Sequence, residues 1–132
     1  MPDVNWLAIL LCGLSSMVLG GLWYSPLLFA KPWQRGAGLS SEDLAGANMA
    51  LIFGFAFLLS LAAAAVFAMF LGRDMGLGPS VAAGGAAGAC WVGASFGISY
   101  LFERRSVSYW LINAGYHSVQ FTLFGLILGL MA

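Results

Sequence analysis

Charge is confined to four short clusters, and that confinement constrains the fold more than any other feature of this 132-residue sequence. Asp3 stands near the N-terminus. Lys31, Arg35, Glu42 and Asp43 form a second cluster, Arg73 and Asp74 a third, and Glu103, Arg104 and Arg105 the last. Charge-free apolar stretches lie between and after them. A helix needs roughly 20 apolar residues to cross a hydrocarbon core ~30 Å thick. The four stretches meet that length. They predict an all-α polytopic membrane protein with four transmembrane helices, over about residues 4–25, 48–72, 80–102 and 108–131.

Composition narrows the class further. Only 8% of residues are charged, against ~25% in soluble domains, and mean hydropathy is +0.93. Five charges of each sign leave no basic footprint for nucleic acid and no acidic tail. Outside the spans too little chain remains for a soluble domain, so residues 1–132 read as one membrane domain. Met1-Pro2-Asp3 lacks the positive start of a signal peptide, so the first span is expected to stay as a helix. Lys31, Arg35, Arg104 and Arg105 lie on one side of the spans and only Arg73 on the other. The positive-inside rule then expects both termini outside a bacterial inner membrane.

The first apolar run continues past residue 25 to about Ala30, which as one straight helix would reach about 40 Å. Ser25-Pro26 resolves the excess. Pro26 has no N–H and clashes with the carbonyl of Leu22, so the helix is expected to break or kink there. Ser25 is positioned to cap a short helix opening at Pro26, laying Trp33 along the interface with Lys31 and Arg35 towards headgroups. Ser40 and Asp43 have capping-box spacing.

The third span carries Gly84, Gly88, Gly93 and Gly97, two small-xxx-small pairs, and Gly125 and Gly129 repeat the spacing in the fourth. Such residues let helix backbones approach closely, which favours a homo-oligomer built through these spans. The fourth span also holds the densest polar set. Asn113, Tyr116, His117 and Gln120 fall at i, i+3, i+4 and i+7, one helical face. Trp91, with Cys90, reaches a similar depth from the third span. An intramembrane ionisable group is a functional hypothesis, and imidazole titrates near neutrality. Against that, no Asp or Glu sits inside a span as a proton partner for His117. The competing reading is interhelical glue.

Other chemistry finds no support. Cys12 and Cys90 have no ligand spacing, so neither a metal site nor a disulfide is expected. No nucleophile–base pair, nucleotide loop or carboxylate dyad is present, which argues against an enzyme and against a cofactor. Glu103 has Lys31 and Arg35 as candidate partners across the cytoplasmic face, but the favoured reading of the loop is that it sets topology and places its arginines on lipid headgroups. Trp23, Tyr24, Trp33, Lys31, Arg35, Arg104 and Arg105 form a candidate lipid-contact set, aromatic rings beside cations at one interface.

Several ordered segments resemble the bacterial membrane family catalogued as domain of unknown function 1761. They are Asn5-Trp6-Leu7-Ala8, Gly21-Leu22-Trp23-Tyr24-Ser25-Pro26-Leu27-Leu28-Phe29 with Lys31 and Trp33, Glu42-Asp43-Leu44, Phe102-Glu103-Arg104-Arg105, and Ile112-Asn113-Ala114-Gly115-Tyr116-His117. The resemblance runs over almost the whole chain. It implies a small four-span membrane protein and brings no activity. The expected function is a structural or accessory membrane component. The alternatives are a small-solute or ion pathway, proton-linked through His117, and a lipid-binding module.

Overall fold

The structure, a computed structural model, describes residues 3–132. Met1 and Pro2, in the segment read for a signal peptide, lie outside the described residues. The described chain is all-helical. Four helices are long and apolar enough to cross a membrane: Trp6–Trp23, Met49–Leu71, Leu77–Glu103 and Val107–Leu130. We label the elements α1 (Trp6–Trp23), α2 (Ala30–Ala37), α3 (Ser41–Ala45), α4 (Met49–Leu71), α5 (Leu77–Ala86), a π-helical segment (Ala87–Gly93), α6 (Ala94–Glu103) and α7 (Val107–Leu130). The third span is α5, the π segment and α6 in one continuous run.

Helix starts follow their side chains. Asn5, Asn48 and Ser106 each accept a backbone N–H of the first turn, at Ala8, Leu51 and Tyr109. Ser40 and Asp43 close a capping box on α3. The backbone N–H of Ser40, and then its hydroxyl, hold the Asp43 carboxyl below the usual carboxylate range.

α1 ends at Trp23, and residues 24–29 run as turns before α2. The Leu22 carbonyl that Pro26 cannot serve accepts instead from the Ser25 N–H at 3.2 Å and the Ser25 hydroxyl at 2.6 Å. Ser25 therefore closes the old helix rather than capping a new one. The next helix opens at Ala30 with Phe29 before it and no side-chain cap, a correction to the expected start at Pro26.

The packing is lopsided. α7 is the central helix, lying against the third span, α1 and α2, while α4 packs mainly on α1. Half of the fourth span is buried inside the molecule, against 17% of the second. Arg73 meets Asp3 at 3.2 Å and the Asn5 amide donates to the Met131 carbonyl at 2.9 Å, so both chain ends share one end of the bundle. The opposite end carries α2 and the Glu103–Ser106 loop; we call it the arginine end.

The glycines explain the tight third–fourth contact. A Cβ on Gly84 or Gly88 would strike the α7 backbone at Phe121 or His117, and one on Gly93 or Gly97 would press on Ala114 or Trp110. The sequence spacing is 4, 5 and 4, which an unbroken α-helix could not keep on one face. Five residues turn it ~140° past full turns. The π segment sits between Gly88 and Gly93 and absorbs the extra residue. All four glycines then face α7. On the other side, Gly125 and Gly129 lie against Ser80 and Leu77.

Candidate functional site

The polar stripe of α7 is buried against α1 and α6. Its centre is Asn113. The Tyr24 hydroxyl donates to Asn113 Oδ1 at 2.7 Å, and Asn113 Nδ2 donates to the Tyr100 hydroxyl at 3.1 Å. One amide thus ties the end of the first span to the third span through the fourth. One turn on, the Tyr116 hydroxyl donates to the Ser16 carbonyl at 3.0 Å. Beside it, the Trp23 indole donates to the Ile112 carbonyl at 2.9 Å and lies over Gly115, where a Cβ would crowd it. The Trp110 indole donates to the Gly93 carbonyl at 2.8 Å, at the end of the π segment.

All four tyrosines of the chain gather here. Tyr24 packs on Tyr116 at 5.4 Å between ring centroids, Tyr24 on Trp33 at 5.6 Å, and Tyr100 on Tyr109 at 5.1 Å. Such pairs contribute about 0.5–1.5 kcal/mol beyond buried area. His117 borders the cluster, its ring 5.1 Å from Phe96 and 4.8 Å from Tyr116. Among the described residues its ring makes no hydrogen bond and no carboxylate pairs with it. Several hydroxyls of the spans serve their own helix: Ser60 donates to the Ala56 carbonyl, Ser118 to Ala114 and Thr122 to Ser118.

Two buried polar atoms stand apart. Ser16 Oγ and Gln120 Oε1 have no partner among the described residues, although Ser16 is 1% and Gln120 4% exposed. Contacts of Cys12 with Phe124 and of Gly20 with Tyr116 set the antiparallel register of α1 on α7. That register puts Ser16 and Gln120 at the same level of the seam.

The sequence-predicted residues divide accordingly. Asn113 and Tyr116 join Tyr24 and Trp23 in one network, and Gln120 lies on the same seam unpaired. Trp91 does not reach it: its side chain is 67% exposed on the outside of the third span, and Cys90 is exposed beside it. The π turn rotates these residues away as it brings the glycines in. Tyr100, Phe96 and Ser16 belong to the seam and were not singled out from sequence. A helical-face projection of the third span that allowed one inserted residue would have aligned Phe96 and Tyr100 with the glycines.

At the arginine end, Arg105 is the organising cation. Its Nη1 donates to the Gly36 carbonyl at 3.1 Å, its Nε faces Glu103 at 3.5 Å, and its guanidinium lies 5.5 Å from the Tyr109 ring centre. This latches α2 onto the loop before α7. Glu103 thus pairs with Arg105 rather than with the candidate partners Lys31 and Arg35; two residues along a turn is a shorter reach than across to α2. Lys31 and Arg35 are exposed on α2 and Arg104 is exposed on the loop. Residues 7–129 match the family described as Protein of unknown function (DUF1761).

The chain belongs to this family.

Neither the curated proteins nor the solved structures contain a match to it. Two of the segments that carry the resemblance to DUF1761 meet in space. Trp23 and Tyr24 touch Ile112, Asn113 and Gly115. In this DUF1761 chain, those two stretches of sequence are opposing sides of one contact.

Proposed function

We propose that this protein is a structural or accessory component of a bacterial inner membrane, and that its polar stripe holds the bundle together rather than conducting a solute. One observation carries the reading. Asn113, Tyr116, Trp23 and Tyr24 spend their polar groups on each other and on neighbouring backbone. A pathway needs groups left free for a passing ligand. The K/R bias supports a cytoplasmic arginine end, with both termini outside.

A homo-oligomer fits such a role. Gly84, Gly88, Gly125 and Gly129 close a seam within one chain, so a second copy would meet the exposed apolar faces of α1 or α4 instead. The alternative pathway reading rests on the unpaired atoms at Ser16 and Gln120. A lipid-binding role is favoured by a different observation, the convergence of arginines and aromatic rings at one end.

The test is flux. Proteoliposomes carrying the full chain are expected to leak protons, potassium and small polar solutes no faster than empty vesicles. Flux abolished by His117→Ala and Gln120→Leu would overturn the structural reading in favour of a pathway.

A further inference from the structure

Two cavities open side by side at the arginine end, each of about 510 Å³, and they share Pro32 and Ser108. The first is polar, lined by Arg35, Arg104, Arg105, Glu103, Ser106 and Ser108. The second is a groove walled by Trp23, Phe29, Leu111 and Ile112. One is cationic and the other apolar, and they adjoin at Pro32 and Ser108.

Within the polar cup, Arg105 and Glu103 are occupied with each other and with Gly36. Arg35 and Arg104 have no protein acceptor among the described residues. Three arginines against one glutamate leave the cup net positive. The 24-residue α7 starts here. Ser106 takes the N–H groups of Tyr109 and Trp110, and those of Val107 and Ser108 make no hydrogen bond among the described residues. A helix start with free N–H groups favours an anion.

Arg104 supplies an independent sign. Its φ is 59°, the left-handed region, where the other described residues of positive φ are the glycines Gly38, Gly72 and Gly76. Glycine is the ordinary residue at such a helix end. An arginine held there at a conformational cost points to use of its side chain.

We propose that the two cavities bind one membrane phospholipid with an anionic headgroup. Its phosphate lies against Arg35, Arg104 and the first turn of α7, and an acyl chain runs along Trp23, Phe29 and Leu111. Charge complementarity selects the headgroup. A zwitterionic lipid would bring its own cation into a cup that is already net positive, and a free phosphate would leave the groove unused. The groove shares Trp23 and Ile112 with the paired seam, and the site stands whether or not the protein conducts.

The test is lipid retention by the full chain in detergent, read by native mass spectrometry with phosphatidylglycerol, phosphatidylcholine and glycerol 3-phosphate as probes. Phosphatidylglycerol is expected to be retained in preference to phosphatidylcholine. Arg104→Gly and Arg35→Gln are each expected to weaken retention roughly five-fold, the effect of one basic side chain near an anionic headgroup. Arg104→Gly is also expected to melt at the same temperature or higher, because it relieves the backbone. A structural role for Arg104 would move the two readings together. If Arg104→Gly unfolds, Arg35→Gln decides, since it leaves the backbone alone. Equal retention of both lipids, unchanged retention in Arg35→Gln, or equally strong competition by glycerol 3-phosphate would overturn the proposal.

Discussion

The third and second spans flank the same central pair of helices, α1 and α7, yet they are attached in different ways. The third span meets α7 backbone to backbone through Gly84, Gly88 and Gly125. It also contributes Tyr100 to the Asn113 bridge and the Gly93 carbonyl to Trp110. The second span meets α1 through side chains such as Leu61 and Phe57 over Gly13. Its polar side chain Ser60 bonds to its own helix. Lipid tails are as apolar as leucine, so leucine and phenylalanine alone give little reason for two spans to associate. Close approach and hydrogen bonds do. The comparison therefore identifies α1, α7 and the third span as the stable unit and α4 as the loosest member.

The largest effect is expected where the contact is backbone on backbone. Gly125→Val and Gly84→Val would each drive a branched side chain into a carbonyl that cannot retreat. Overpacking of that kind costs about 3 kcal/mol or more, and most of the protein is expected to be lost to aggregation on solubilisation, read by size-exclusion chromatography in detergent. If Gly84→Val survives as well as a substitution on α4, the distinction between the two contacts fails.

The polar seam comes next, and its two amides should behave oppositely. Asn113→Leu strands the Tyr24 and Tyr100 hydroxyls and is expected to cost about 1–2 kcal/mol, from two interhelical bonds of ~0.6 kcal/mol each and the polar groups left behind. Gln120→Leu removes a buried carbonyl that already lacks a partner. It is expected to leave stability unchanged or raise it by up to about 1 kcal/mol. Thermal melts followed by tryptophan fluorescence would separate the two.

On the α4 side, Gly13→Ala presses only on the flexible ends of Leu61 and Phe57. It is expected to cost less than about 1 kcal/mol in the same melts. The smallest effect lies outside the membrane. The Asp43 carboxyl is depressed by its bonds to Ser40. Its contribution to α3 is therefore present above the ordinary aspartate range and lost as pH falls through the depressed value. Protection of the α3 amides, taken relative to the intrinsic exchange rate at each pH, is expected to fall at low pH in the natural chain, and to be low already at neutral pH in Ser40→Ala.

The four spans were legible because charge placement and hydropathy act on the whole chain at once. The cap at Ser40 was equally local, with Asp43 three residues on. The polar face of α7 was readable from its i, i+3, i+4, i+7 spacing, but the partners were not, since Tyr100 reaches Asn113 only after the π turn has rotated the third span. That turn has no local sequence signature. The 4-5-4 glycine spacing was its visible trace, and it acquires meaning only against the facing helix. The same rotation explains why Trp91, at the right depth by counting, lies outside. The Ser25-Pro26 stop was visible as a missing donor, whereas the fate of the freed Leu22 carbonyl depended on which side chain stood nearest.

The central claim is that the stripe of α7 is an internal seam closed to water. Solvent accessibility by thiol labelling tests it most directly. His117→Cys and Gln120→Cys would be placed in a chain carrying Cys12→Ala and Cys90→Ala, reconstituted in lipid, and exposed to a water-soluble maleimide alongside an Asp74→Cys control. Rapid labelling at position 74 with none at 117 and 120 is the expected result. Labelling at 117 and 120 at the rate of the control would mean that water reaches the stripe, and would contradict the claim.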